Sequence, residues 1–449
     1  MPSLDIRSRK PIHPFHVLAA LALVAPFLLL QGCSSLSTTQ RQPRTGSEEE
    51  MRVVAKGIHG RVLTMDSHDD ISADFASDKD DVGSPENARQ VSLPKMRKGG
   101  LDAEFFAVFT PVGPRIDSAY ESAYKSAIAR FDAIHRLPMK YPDQIDIAYT
   151  ADDVVRIHKS GKLVACIGVE NGYPIGMDIR RLKEFYDEGA RYVTLTHSDN
   201  NQICDSSTPR DEQAKELYGG LSTFGIQVVR EMNRLGMMVD VSHASKKAAL
   251  AALALSKSPV IATHSGADAV NANPRNVDDE TLQAIKARGG VVQVVSLASY
   301  IKTRQDSPER AVAMDSLRKQ FGLSGSRGSG VRQSTRALTE EQRALYHDKM
   351  AELTVKFPRP LVTVQDMVDH IDHIVNVIGI DYVGIGSDFD GGGGLTGWNG
   401  ADDAFNITLE LVKRGYTEED VRKIWAENLL RVWRETERVA KELQAAEWK

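Results

Sequence analysis

The chain has 449 residues, 41% of them hydrophobic and 26% charged, with a formal net charge of −5. This is globular composition with ample material for one large core, and an α/β barrel routinely uses this much chain as a single domain. The mild acidity and the lack of a long basic tract speak against nucleic acid as a partner.

The N-terminus reads as a targeting segment. Arg7, Arg9 and Lys10 give a basic start, and the apolar run Val17–Leu30 is too short for a comfortable membrane span. The run ends in Leu30-Gln31-Gly32-Cys33, which resembles a bacterial lipobox with Cys33 as the lipidated first residue of the mature protein. A plain signal peptide with an incidental cysteine is the alternative. Residues 1–32 are thus expected to be a lipoprotein signal peptide and 33–55 a flexible tether, Ser34–Glu50 being rich in Ser, Thr, Gln and charge. The expected location is the cell envelope, anchored by lipid on the periplasmic side, with Ser34 pointing to the outer membrane. Cys166 and Cys204 could pair in an exported protein, but Cys166 lies mid-strand and reads as a small buried residue.

From residue 56 strand and helix patterns alternate. Val62–Asp70 is the first strand, an apolar run ending in His68 and Asp70, which lie two apart and so share a face in extended chain. Leu101–Phe109 is the second, followed by a helix around Ser118–His135. Lys162–Asn171 is the third, with Glu170 at its end. A helix near Ile179–Glu188 stops at Gly189, and Ala190–Ser198 is the fourth strand, ending at His197. After the polar loop Asp199–Gly220, Ser222 caps a helix with the stripe Phe224, Val228, Met232 and Leu235, stopped by Gly236. Met237–His243 is the fifth strand and Pro259–Ser265 the sixth, carrying His243 and His264. Gly290–Leu297 is the seventh.

Tyr300–Pro360 breaks the rhythm. It is charged, Gly322–Gly330 looks flexible, and Thr339 with Gln342 forms a capping box opening a helix. It reads as a helical insertion that covers the site or makes a subunit contact, which allows a homodimer. A helix at Val364–Ile378 and an eighth strand, Asp381–Phe389 with Asp388 near its end, resume the pattern. Eight such strands suggest a closed (β/α)8 TIM-like barrel, with an open doubly wound sheet as the alternative. Functional groups of barrels gather at the C-terminal strand ends, where His68, Asp70, Glu170, His197, His243, His264 and Asp388 all fall.

Any one of these histidines alone would be an ordinary hydrogen-bonded core residue. Four of the twelve in the chain, with acids at matching positions, point instead to a metal centre. His370 and His373, three apart on a helix, could form half of another site or serve packing. His, Asp and Glu without thiolate suit zinc, or manganese or cobalt. The donors exceed the needs of one tetrahedral ion, and a carboxylate such as Glu170 can bridge two. Arg275, in the loop after the sixth strand, suits a substrate carboxylate or a structural carbonyl.

These residues resemble the membrane (renal-type) dipeptidases, dizinc metallopeptidases on a TIM-like barrel. The resemblance rests on MDSHDD at Met65–Asp70, VEN around Glu170, TLTHSDNN at Thr194–Asn201, ATHSGA at Ala262–Ala267, PRNV at Pro274–Val277 and VGIGSDFDG at Val383–Gly391. It implies that His68 and Asp70 bind one zinc, that His243 and His264 bind a second, and that Glu170 bridges them. It further implies that His197 contacts the substrate carbonyl and its oxyanion, that Arg275 holds the C-terminal carboxylate, and that Asp388 handles protons. The implied reaction is hydrolysis of free dipeptides by a metal-bridging hydroxide, with tolerance of a D-residue at the C-terminal position. Glu104–Phe106 stands where many relatives have Gln-Phe-Trp, which predicts a different pocket wall. Rival readings are another binuclear barrel hydrolase (lactonase, phosphotriesterase or deaminase) and a non-catalytic solute-binding lipoprotein.

Overall fold

The computed structural model describes residues 41–210, 216–323 and 338–447. The expected signal peptide, Cys33 and residues 324–330 of the glycine-rich stretch lie outside them.

Nine parallel strands form the sheet: β1 (Met65–Asp70), β2 (Ala103–Phe109), β3 (Ile145–Ile147), β4 (Leu163–Glu170), β5 (Ala190–Thr194), β6 (Met238–Asp240), β7 (Val260–Ser265), β8 (Val291–Val295) and β9 (Val383–Gly386). Eight of them run β1-β2-β4-β5-β6-β7-β8-β9, and β3 pairs with β4 off this path. The path nearly closes. Asp70 N donates to Phe389 O at 2.9 Å and Asp388 N to His68 O at 3.1 Å. The eight barrel strands are those expected; β3 adds three residues, too few for an alternating pattern to show.

The barrel is filled from the base by apolar side chains. Met65, Phe105, Met238, Ile261 and Val291 meet Leu429, Leu430 and Trp433 of the helix Asn428–Glu447. Phe105 lies between Tyr192, at 5.1 Å between ring centroids, and Trp433, at 5.6 Å. A larger apolar layer packs the outer faces of the strands against the helices. The strands are buried on both faces, as an all-parallel sheet requires.

Local signals behave as their chemistry dictates. Ser222 Oγ accepts from Gly225 N, the expected stripe is buried, and Gly236 closes the helix Thr223–Leu235 at φ 90°. Thr339 and Gln342 form the reciprocal cap of Glu340–Lys356. That helix and Pro308–Gln320 build the insertion around a small core of Leu317, Leu323, Leu338 and Tyr346.

Two expectations are corrected. The tether does not extend to residue 55: Ser47 and Glu50 make a capping box for the helix Glu48–His59, whose Ala55 and Ile58 are buried. Its polar composition is that of a solvated helix face. Nor does Glu104–Phe106 line a pocket. Phe106 packs on Phe75 at 5.0 Å, Phe105 belongs to the base, and Glu104 is fully enclosed. Burial, with Asp66 and Asp69 nearby, pushes the Glu104 carboxyl well above its usual pKa.

Candidate metal centre

The strand ends carry the polar side chains into the mouth, and β1 shows how. Its pairing with β2 advances three residues, Asp66 to Asp69, while β2 advances two, Glu104 to Phe106. This bulge puts Ser67 and His68 both toward the interior. Ser67 Oγ donates to Thr263 O at 2.6 Å, and His68 Nε2 lies 3.5 Å from Glu170 Oε2 and 3.8 Å from Asp70 Oδ1.

Glu170, at the end of β4, is the hub. His243 Nε2 is 3.1 Å, His264 Nε2 3.4 Å and His197 Nε2 3.6 Å from its Oε1. His243 and His264 bring their Nε2 atoms within 2.9 Å of each other. Three sets of ligand-type atoms each fall within 4.8 Å: His68–Asp70–Glu170, Glu170–His197–His243, and His68–His264–Asp388. The seven expected strand-end residues thus converge on one hollow. His370 and His373 lie elsewhere. His370 accepts from Ala267 N and contacts Ile301 O, while His373 pairs with Asp279. Cys166 and Cys204 are free and buried.

Second-layer partners fix the ring tautomers. Tyr192 donates its hydroxyl to Ser67 O at 3.1 Å, so its oxygen receives His68 Nδ1–H at 2.9 Å. A Cβ on Gly168 would fall 2.0 Å from the Tyr192 ring, so glycine there is what admits the tyrosine. Thr263 Oγ1 donates to Asp240 at 2.7 Å and receives His264 Nδ1–H at 2.8 Å. In the neutral form both histidines therefore present an Nε2 lone pair to the hollow, the arrangement that hydrogen-bond partners on the far ring nitrogen impose on metal-binding histidines.

The electrostatics ask for positive charge. Burial alone would raise Glu170, but the neighbouring His197 and His68, with His243 and His264 close beside it, hold it well below the usual carboxylate range. Burial pushes His243 and His264 well below theirs, so both are neutral, the form that binds metals. Burial opposes charge on His68 as well, yet Glu170, Asp70 and Asp388 carry it up to about 9. A proton there supplies the positive charge that a cation would otherwise bring. His68 Nε2, Asp70 Oδ1 and His243 Nδ1 are buried without a hydrogen-bond partner. With the Nε2 atoms of His243 and His264 gathered at Glu170, the donors facing the hollow are all nitrogen and oxygen and fit divalent ions of the zinc, manganese or cobalt type.

Arg275 and Asp388 stand beside this set. Arg275 is 3% exposed, donates Nη2 to His264 O at 3.2 Å, lies 5.2 Å from the Tyr300 ring, and keeps a buried, unpartnered Nε. Burial pushes Asp388 up to about 7, against the pull of nearby His68. His243 and Asp388 adopt φ of 66° and 62°, left-handed values that cost a side-chain-bearing residue about 1 kcal/mol or more and mark functional turns.

Several residues at the site carry no signal in the strand patterns. Tyr192, Asp240 and Thr263 look like ordinary strand members. Phe109 ends β2 and packs its ring against that of His197, tilted by 52° with centroids 4.7 Å apart, and its position as the last residue of a strand is the available clue. Arg89 bonds Asp70 O and pairs with Asp69, Asp80 and Asp390.

Comparison with known proteins agrees with this geometry. The membrane dipeptidase profile (peptidase family M19) matches residues 52–447. Dipeptidase tcpJ of Claviceps purpurea is 32% identical over 392 residues, covering 85% of this chain and 79% of its own. Dipeptidase verJ of Clonostachys rogersoniana is 30% identical, covering 78% and 77%. The crystal structure of the probable dipeptidase PvdM from Pseudomonas aeruginosa superposes with a TM-score of 0.76 at 30% identity, covering 87% of this chain and all of that one. A metallopeptidase from Rhodobacter sphaeroides, liganded with a phosphinate mimic of L-Ala-D-Ala, shares the fold with a TM-score of 0.64 at 22% identity, covering 84% and 99%. The chain belongs to the membrane dipeptidase family, peptidase family M19, and is a metallo-dipeptidase on a TIM-like barrel.

Proposed function

We propose that this chain hydrolyses free dipeptides with two zinc ions, His68 and Asp70 holding one, His243 and His264 the other, and Glu170 both. The observation that carries this reading is the convergence of four histidines and Asp70 around the Glu170 carboxylate. Such ions supply charge that acidifies a water nucleophile and polarises a carbonyl.

The chain's own groups do the rest. Arg275 receives the free C-terminal carboxylate of the substrate with a guanidinium already desolvated, which restricts the enzyme to short peptides. His197 donates to the substrate carbonyl oxygen as it gains negative charge. Asp388, pushed up to about 7, accepts a proton from the attacking water and returns it to the leaving amine near neutral pH. Phe109 holds the His197 ring against rotation. A D-residue at the C-terminal position is accepted, as the ligand of the Rhodobacter sphaeroides relative suggests. The protein acts at the cell envelope, anchored through lipidated Cys33.

The test is a panel of L-L and L-D dipeptides, lactones and phosphotriesters assayed before and after chelation and again with added zinc. Zinc-restored cleavage of dipeptides of both series is expected. Turnover of lactones or phosphotriesters in preference, or dipeptide cleavage indifferent to chelator, would replace this reading.

A further inference from the structure

We infer that Asn171 and Asn201 form a positioning device that ties the bridging carboxylate Glu170 to His197 and Phe109. The inference rests on the roles proposed above for Glu170 and His197. Asn171 directly follows Glu170, is fully buried, and adopts φ 74°, a conformation for which glycine is the unstrained choice. Asparagine is the side-chain-bearing residue that tolerates this turn best, so the position costs little and leaves its amide free to work on its neighbours.

The bonds show that work. Asn171 Nδ2 donates to Thr110 O at 2.7 Å, just beyond Phe109 at the end of β2. Its Oδ1 accepts from Tyr173 N at 3.1 Å and from Asn201 Nδ2 at 3.0 Å. Asn201 also donates to Leu195 O at 2.8 Å, two residues before His197, and its Oδ1 accepts from Ile203 N at 2.8 Å and Cys204 N at 3.1 Å. One amide pair therefore fastens three strand ends, those of β2, β4 and β5. Phe109 and Glu170 adjoin its anchors directly, and His197 follows two residues after Leu195. Glu170 is reached by His68 and Asp70 from one side and His243 and His264 from the other, so a small tilt of its carboxylate changes both halves of the centre. Neither asparagine touches substrate or metal in this scheme; both act through their neighbours.

Asn171→Gly separates the two uses of the residue, because glycine keeps the left-handed turn and deletes the amide. Asn201→Asp keeps the acceptor for Ile203 and Cys204, removes the donor to both Asn171 and Leu195 O, and sets a carboxylate against Asn171 Oδ1. Divalent-ion affinity by equilibrium dialysis with zinc, kcat and KM on a dipeptide, and the melting temperature of the metal-free protein are read for each. Each variant should lose roughly tenfold in zinc affinity and kcat, with KM within about threefold. Metal-free Asn171→Gly should melt only a few degrees below the parent, the cost of the buried bonds it loses, and the double variant should be no worse than the poorer single one, as expected for one coupled unit. Wild-type zinc affinity in Asn171→Gly, or fully additive losses in the double variant, would overturn the inference. So would a fall in melting temperature with zinc affinity intact. Glu170→Gln, run in parallel, tells the two levels apart: two tightly held zinc ions in that variant would remove the bridging role itself, whereas weak zinc binding there and normal binding in Asn171→Gly would remove only the positioning device.

Discussion

At the base of the barrel Trp433, Phe105 and Tyr192 pack in sequence with their rings tilted against one another, surrounded by Met65, Met238, Ile261 and Val291. At the mouth, a few residues further along the same strands, the interior holds His68, Asp70, Glu170, His243, His264 and Asp388, several with buried atoms that bond nothing in the protein. The base gains stability from the apolar surface it buries. The mouth spends some of it on carboxylates crowded together and on left-handed turns at Asn171, His243 and Asp388. Tyr192 belongs to both ends: its ring completes the apolar stack and its hydroxyl orients His68. Stability and chemistry are thus separated by height along the barrel axis, and substitutions at the two levels should fail in different ways.

The sharpest contrast is Glu170→Gln against Trp433→Ala. Glu170→Gln should lower dipeptide kcat/KM on the order of a thousandfold by weakening both metal positions, while the metal-free protein unfolds at a temperature close to wild type. Trp433→Ala should remove about 3–5 kcal/mol of stability in urea unfolding and leave kcat of the folded enzyme within about twofold. Comparable loss of stability in both variants, or of kcat in both, would end the idea of a division by height. Arg275→Ala comes next. It should raise KM for free dipeptides by about 100-fold, the worth of a charge-assisted pair, with little change for C-terminal amides. Equal losses on both substrates would deny Arg275 its carboxylate.

The parts of the molecule legible in the sequence were those where local pattern and tertiary role coincide. Apolar runs ending in His or an acid marked seven of the convergent side chains, and Ser222, Gly236 and Thr339 behave as caps and stops whatever surrounds them. What pattern could not show depends on contacts across the barrel. The bulge that turns both Ser67 and His68 inward exists only against β2 and leaves no mark on the strand's own alternation. Tyr192 and, through Thr263, Asp240 orient His68 and His264 from other strands, and within their own strands all three read as filler. The helix Glu48–His59 was hidden for the opposite reason: its buried stripe is thin, and its charges look like those of a linker. Asn171 did stand in plain view as the residue after a strand-end acid, where a left-handed turn favours asparagine.

Tyr192→Phe tests the shared residue more gently. It keeps the ring in the base and deletes the hydroxyl between His68 Nδ1 and Ser67 O. Divalent-ion affinity should fall by about tenfold, the usual cost of losing a hydrogen bond that orients a metal-binding histidine. Stability of the metal-free protein should change by only about 1 kcal/mol. A variant that binds zinc as tightly as wild type would place Tyr192 wholly with the base.

The smallest effect is the pH dependence of the metal-free protein, and it isolates the charge that the mouth lacks. His68 is carried up to about 9 in the fold from an ordinary value near 6.5, so its protonated form adds stability that is fully present below about 6.5 and is lost as pH rises through about 9. Asp388 acts in the same direction: raised to about 7, it favours the fold while protonated, and that contribution fades as pH rises through 7. The melting temperature of metal-free protein should therefore fall by several degrees between pH 6 and pH 9. Zinc-loaded protein should not follow it, because the ion replaces the proton on His68 and binds more tightly as the ligands deprotonate. The base has no titrating group of this kind, so Trp433→Ala should lower both melting curves without changing their slopes. A metal-free protein that melts at the same temperature across this range would mean that the crowded carboxylates are neutralised by something other than His68, and the contrast between mouth and base would lose its electrostatic half.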